Sequence, residues 1–244
     1  MNIQEIITKV KQNKKYSSVH DSFVQKNIEL VIRRNPNLTL DKKKHQKEII
    51  KETRALLRRS VVSFNPESYN RDNLLEEHKS TAERLPDYST LSKIITDINP
   101  SSILDLGCGL NPLALAKKGI EYTAYDIDEK IIQSVRKFFD EKGIHGKAIV
   151  ADITQESSFP KSDLILILKV VDLLDKKGHK ETEKLINKLN GENIIISFST
   201  KTLSGKSMNY PQRGWIERLL KRLGYSFSII KTKNELFYKV KGTH

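Results

Sequence analysis

The stretch SSILDLGCGLNPLAL, Ser101 to Leu115, decides how the rest of the chain is read. Ile103, Leu104 and Leu106 form a short apolar run of the kind that makes a buried parallel strand. Gly107-Cys108-Gly109 follows, then Asn111-Pro112 and a helical pattern. Strand, glycine turn and helix in that order open a nucleotide-binding βα unit. Glycines let backbone N–H groups come close to a ligand, and proline suits the first turn of a helix. A lone Gly-x-Gly also fits a plain tight turn. Two acids tip the balance. Asp105 lies inside the strand end, and Tyr122 to Asp126 reads as a second strand ending in a carboxylate, where a ribose diol would lie.

Working outward, strands and helices alternate. Strands are expected near 102–106, 121–125, 147–151, 163–168 and 193–198, and helices near 112–118, 128–142, 177–189 and 211–223. Tyr225 to Ile230 and Leu236 to Val240, separated by a Lys-Thr-Lys-Asn turn, read as a closing hairpin. The pattern predicts an α/β fold with a mostly parallel sheet and helices on both faces. A helical stretch from His78 to Ile98, broken at Pro86, precedes the first strand.

Residues 1–77 carry helical patterns and no strand pattern. Ile3, Ile6, Ile7 and Val10 form one apolar stripe; Phe23, Val24, Asn27, Leu30 and Val31 form a second, stopped at Asn35-Pro36. A third helix is expected from about Leu40 to Val62. On it Lys44, Lys47, Lys51, Arg54 and Arg58 recur at helical spacing on one face, opposite Ile49, Ile50, Thr53, Leu56 and Leu57. Eight basic and two acidic residues lie between Lys42 and Arg59. A solvated helix face usually mixes signs to gain i,i+4 pairs, so a single-sign stripe favours a phosphate-facing surface. Ser63 to Arg71 reads as a polar linker. The expected organisation is a small, basic, all-helical domain over 1–77 and a catalytic domain over 78–244.

The glycine loop, with an acid before it, is similar to the S-adenosylmethionine (SAM) loop of Rossmann-like class I methyltransferases. The resemblance narrows further. LDLGCGLNPLAL, the upstream HKSTAERL (His78 to Leu85) and the later ILKVVDLLD and ISFSTKTLSGKSM resemble, in order, blocks of the aminoglycoside-resistance 16S rRNA (guanine-N7) methyltransferases. The likeness runs from about His78 to Val240; upstream only length, basic charge and helical pattern are shared. It implies a class I sheet with one antiparallel strand inserted by the terminal hairpin. It implies SAM as cofactor, and as partner 16S rRNA in the assembled 30S subunit, acted on at N7 of a decoding-site guanine.

Four strand ends carry residues suited to such a ligand. Gly107, Cys108 and Gly109 allow close approach of the amino-acid portion; Asp126, with Ile127 beside it, faces the ribose. Asp152 is placed to take the adenine amino group with Ile153 beside the ring, and Leu168-Lys169-Val170 lies over adenine and sulfonium. The resemblance adds Asp105 and Asn111 around the loop, and His78, Ser80, Thr81 and Arg84 upstream, with the arginine holding the methionine carboxylate. The plain alternative for Arg84 is a surface ion pair with Glu83, Glu77 or Asp87.

The reaction is read by elimination and by resemblance together. No Asn/Asp-Pro-Pro-aromatic motif follows the fourth strand, and the only cysteine, Cys108, sits in the cofactor loop, away from any pyrimidine chemistry. Guanine N7 carries a free lone pair, so no proton must leave before attack. By resemblance Lys201, Met208 and, on the final hairpin, Glu235 match positions that engage the target; Ser199, Pro86 and Asp172 depart from the family pattern. A methyltransferase of another rRNA or tRNA base, adenine N1 included, and a catalytically silent SAM-binding assembly factor remain the alternatives.

Bulk properties agree with an RNA-directed protein. The formal net charge is +13, with 43 Lys and Arg against 30 Asp and Glu, which favours a polyanionic partner. A single cysteine excludes an intrachain disulfide and a multi-cysteine metal site, so no metal is expected. There is no long apolar run and no apolar signal core in MNIQEIITKVKQNKK, so the expectation is a monomeric cytoplasmic protein without a membrane partner.

Overall fold

The structure is a computed structural model. It describes residues 2–61, 75, 83–174, 178–201, 206–209 and 211–242, without the side chain of Arg59. The expected linker, the boundary at 77/78, and His78, Ser80 and Thr81 lie outside the described residues.

Seven strands form one sheet: β1 (Ser102–Leu106), β2 (Glu121–Asp126), β3 (Gly146–Val150), β4 (Leu164–Leu168), β5 (Asn193–Ser199), β6 (Ser226–Lys231) and β7 (Glu235–Lys241). Their order is β3-β2-β1-β4-β5-β7-β6. The first five are parallel, while β7 is antiparallel to both β5 and β6. The expected hairpin therefore inserts its second strand between β5 and β6. Strand order reverses between β1 and β4, which opens a crevice at their carboxyl ends.

The strands are apolar on both faces because helices cover both. Ile103, Leu164 and Leu166 face one core with Leu91, Ile132, Val135 and Phe139; Leu104, Leu106, Ile165 and Ile167 face the other with Ile216 and Leu220. Two-residue alternation sorts the side chains even where no polar residue marks it.

The helices are α1 (Ile3–Lys11), α2 (Asp21–Arg34), α3 (Lys43–Ser60), α4 (Tyr88–Ile98), α5 (Asn111–Leu115), α6 (Glu129–Lys142), α7 (Val171–Leu174), α8 (Lys180–Ile186) and α9 (Gly214–Arg222). The α5 helix is shorter than expected, because Ala116 turns extended. The helix expected over 177–189 is described from Lys180, and the separate turn α7 precedes it. Pro211 to Arg213 lie outside α9, which begins at Gly214.

Helices α1 to α3 pack around their own core of Ile6, Ile7, Val10, Val24, Ile28, Val31, Ile49 and Leu57. On α2 the buried stripe is Val24, Ile28 and Val31, a correction to the set expected above. Asn27 is only half-buried and donates from Nδ2 to the Phe23 carbonyl at 2.8 Å. Truncating Ile49 or Leu57 to alanine would cost about 2–5 kcal/mol. The helical bundle is joined to the sheet by backbone: His20 N–H donates to Ile127 O at 2.8 Å, and Glu129 N–H donates to Ser18 O at 2.9 Å. These bonds hold the bundle against the carboxyl end of β2.

Candidate active site

One cavity opens at the carboxyl ends of β1 to β4. It is lined by Arg84, Gly107, Cys108, Gly109, Asn111, Asp126, Ile127, Asp152, Ile153, Leu168 and Lys169, all expected there from the sequence. Their scatter over 86 positions is closed by the parallel sheet, which brings every strand end to one rim.

The loop after β1 is folded back on β2. Gly107 N–H and Cys108 N–H both donate to Tyr125 O, at 2.9 and 2.8 Å. Gly107 has φ +73°, and a Cβ there would stand 2.4 Å from Val170 Cγ2. Only glycine meets both demands. Asp126 clamps the loop from the second strand: Oδ2 accepts Gly109 N–H at 2.9 Å and Oδ1 accepts Asp128 N–H at 3.0 Å. Burial pushes its carboxyl up to about 6, against the pull of those backbone donors. Cys108 is buried, and burial with the neighbouring Asp126 and Asp105 carboxylates raises its thiol well above the ordinary range, so it is no nucleophile.

Arg84 is not a surface residue. It is 1% exposed, and its Nε donates to Glu235 Oε1 at 2.7 Å; Nη1 donates to Asn111 Oδ1. The surface pairing with Glu83, Glu77 or Asp87 considered above is thereby replaced by a partner 151 residues further along the chain. Glu235 also pairs with Lys169 Nζ at 3.2 Å. Burial works against the Arg84 charge, but Glu235 and Tyr88 together outweigh it and raise the guanidinium above its ordinary value. Arg84 Nη2 is buried and has no hydrogen-bond partner among the described residues. Lys169 adopts φ +61°, an uncommon conformation for a residue with a side chain, at the turn that carries its ammonium to Glu235.

Asp105 does not line the cavity. It is wholly buried behind the loop, where Oδ2 accepts Tyr122 OH at 2.8 Å and Asn111 Nδ2 at 3.5 Å. Burial raises its carboxyl to about 7, with Tyr122 and Arg84 opposing. It supports Asn111, which in turn supports Arg84.

Of the three target-engaging assignments, Glu235 reads differently in three dimensions. Glu235 is fully buried beside Arg84, so it holds that guanidinium and offers no exposed contact to a base. Lys201 and Met208 stand after β5, outside the cavity lining. Lys201 bridges to Ser207, and Met208 Sδ lies 3.6 Å from Arg213 Nη2. Two members of the basic stripe have partners within the bundle. Lys51 pairs with Glu48 at 3.3 Å and Glu52 at 4.0 Å, and Arg54 donates to the Lys9 and Val10 carbonyls at 2.6 and 3.2 Å, closing the end of α1. Lys44, Lys47 and Arg58 remain exposed on the outer surface of α3.

The sequence reading missed Phe23 of α2, and Ser60 and Val61 at the end of α3, which line the cavity from the helical bundle. No local signal marks them. Asp128, Ile131, Ala151, Leu173 and Leu174 were also missed; of these Asp128 was legible as the cap of α6, whose Lys130 N–H it accepts at 2.9 Å.

This strand order, with the glycine loop and the acid at the end of β2 on one cavity, defines a class I Rossmann-like methyltransferase. The chain belongs to the ribosomal RNA methyltransferase (FmrO) family, whose family model matches residues 43–239. The match begins inside α3, upstream of where sequence blocks alone are legible. The chain is 27% identical to a 16S rRNA (guanine(1405)-N(7))-methyltransferase of Proteus mirabilis over 98% of this chain and 96% of that one. It is 33% identical to the Serratia marcescens enzyme of the same name, over 59% of each chain. Among solved structures, the 16S rRNA methylase RmtB superposes with a TM-score of 0.82 at 25% identity, covering 100% of this chain and 99% of RmtB.

Proposed function

We propose that this protein transfers the methyl group of SAM to N7 of a guanine in 16S rRNA, the nucleotide named as 1405 in its relatives, acting as a monomer on the assembled 30S subunit in the cytoplasm. The observation that carries the reading is the cavity itself. Its lining brings together Arg84, whose Nη2 has no hydrogen-bond partner among the described residues, the glycine loop, and the two strand-end carboxylates of Asp126 and Asp152.

The donors suit SAM. Arg84 Nη2 lacks an acceptor, as a site for an α-carboxylate requires, and Asp152 Oδ2 lacks a donor, as a site for an amino group requires. Gly107 and Gly109 line the cavity without side chains, so a ligand can approach the loop closely, and Asp126 takes the ribose. SAM supplies an electrophilic methyl group on a sulfonium. The protein's part is positional. Leu168, Val170 and Leu173 give an apolar mouth that excludes water, and no general base is needed because N7 has no proton to lose. The target guanine must leave its stack to reach the cavity. Lys201 and Met208, after β5, are the residues we assign to holding it; His78, Ser80 and Thr81 complete the cofactor set. We take 1–77 as the docking domain, with Lys44, Lys47 and Arg58 on rRNA phosphates, and 78–244 as the catalytic one.

The test is methylation of purified 30S subunits with tritiated SAM, followed by borohydride–aniline cleavage to locate m7G. Cleavage at the guanine named above is the expected result. Label at another base, or SAM binding without transfer, would overturn the assignment.

A further inference from the structure

The carboxylate at the end of β3 is held from outside the catalytic sheet. Asp152 lines the cavity, is 3% exposed, and accepts Thr154 N–H at 3.0 Å and Thr154 O–H at 2.7 Å, both on Oδ1. Its ion pair comes from the helical bundle. Lys26 Nζ on α2 lies 3.8 Å from Asp152 Oδ2 and donates to Thr154 Oγ1 at 2.5 Å, across 128 residues of sequence. Oδ2 is buried with no hydrogen-bond partner among the described residues. A buried carboxylate is tolerated only when paired, and an unfilled acceptor on it costs free energy until a ligand supplies a donor. Three other residues of the bundle, Phe23, Ser60 and Val61, line the same cavity. The bundle therefore supplies part of the cofactor site and does more than present a docking surface.

We propose that Lys26 is a positioning and specificity residue of the cofactor site: with Thr154 it holds Asp152 so that Oδ2 accepts the 6-amino group of a purine and disfavours a 6-oxo purine. This rests on reading the cavity as the SAM site. Adenine carries a donor at position 6, whereas hypoxanthine carries an acceptor there. A fixed acceptor facing an acceptor leaves two polar groups unpaired in a dry site, the situation that gives the largest discrimination between close analogues. If the lysine is removed, the carboxylate loses its ion pair and one side of its support, and the preference should shrink.

The experiment uses the full chain and two ligands, S-adenosylhomocysteine and S-inosylhomocysteine, measured by calorimetry for wild type, Lys26→Met, Lys26→Arg and Thr154→Val. Wild type is expected to favour the adenosine ligand by about tenfold or more. Lys26→Met should weaken that ligand several-fold and flatten the ratio, Thr154→Val should flatten it by loosening the same carboxylate, and Lys26→Arg should preserve it. A merely structural role would weaken both ligands alike and leave the ratio unchanged, and that result overturns the inference, as does a wild type that binds the two ligands equally. A wild type that binds neither ligand refutes the methyltransferase reading itself, and the inference with it. The two failures are thus distinguishable.

Discussion

Lowering the pH should weaken cofactor binding through Asp126. Both of its oxygens already accept backbone N–H groups, Gly109 on one and Asp128 on the other, so the ionised form shapes the glycine loop before any ligand arrives. Burial places this carboxyl at about 6 rather than at the ordinary 3.8. Ribose hydroxyls donate to the charged form and stabilise it, so binding lowers the pKa and releases a proton wherever the free protein is protonated. At about pH 5, roughly one-tenth of Asp126 is ionised in the free protein. The affinity for S-adenosylhomocysteine is then expected to be about tenfold lower than near pH 7.5, or about 1.4 kcal/mol. Calorimetry across that range, in buffer pairs of different ionisation enthalpy, reads both the affinity and the released proton. Asp126→Asn has no proton to release, so its affinity should be low and nearly flat with pH. A flat wild-type profile, or the same slope in Asp126→Asn, would refute the reasoning.

Asp105 makes a stability prediction with its own sign. Its folded pKa is raised from 3.8 to about 7, so its contribution is fully present below about pH 4 and is lost as pH rises through about 7. A rise of that size corresponds to about 4 kcal/mol. Urea unfolding should therefore show Asp105→Asn gaining on wild type between about pH 4 and pH 7, and a constant gap would contradict the assignment. Gly107→Ala should lose about tenfold or more in cofactor affinity, since its methyl meets Val170 and its φ is positive; Val170→Ala in the same chain should recover part of the loss. If Gly107→Ala binds normally, the loop is not the close-approach surface described here. Replacing Lys44, Lys47 and Arg58 by Glu should abolish methylation of 30S subunits and leave cofactor affinity unchanged, and wild-type subunit binding should weaken steeply with salt. Wild-type turnover by that triple variant would reduce the stripe to a solvated face.

The strands, the glycine loop and the terminal hairpin were legible in the sequence because each is a local pattern. An apolar run, a Gly-x-Gly turn and the next strand's closing acid specify a βα unit without long-range information, and a parallel sheet then gathers the strand ends by topology. Hence Gly107, Gly109, Asp126, Asp152 and Leu168 were placed together from the sequence. What the sequence could not decide was which side chains meet across the fold. The partner of Arg84 is Glu235, on a strand inserted antiparallel beside β5, and adjacency in a sheet is not written in chain order. The same holds for Arg54, which looked like a free cation on a helix face and instead closes the end of α1. It holds again for Phe23 and Val61, which line the cavity, and for Lys26, which pairs with Asp152, because all three places depend on how the helical bundle docks onto the sheet. Local propensity and spacing set the elements and the chemistry at their ends. Burial, and with it the choice of charge partners, follows from the packing of elements far apart in the chain, and only the tertiary structure contains that.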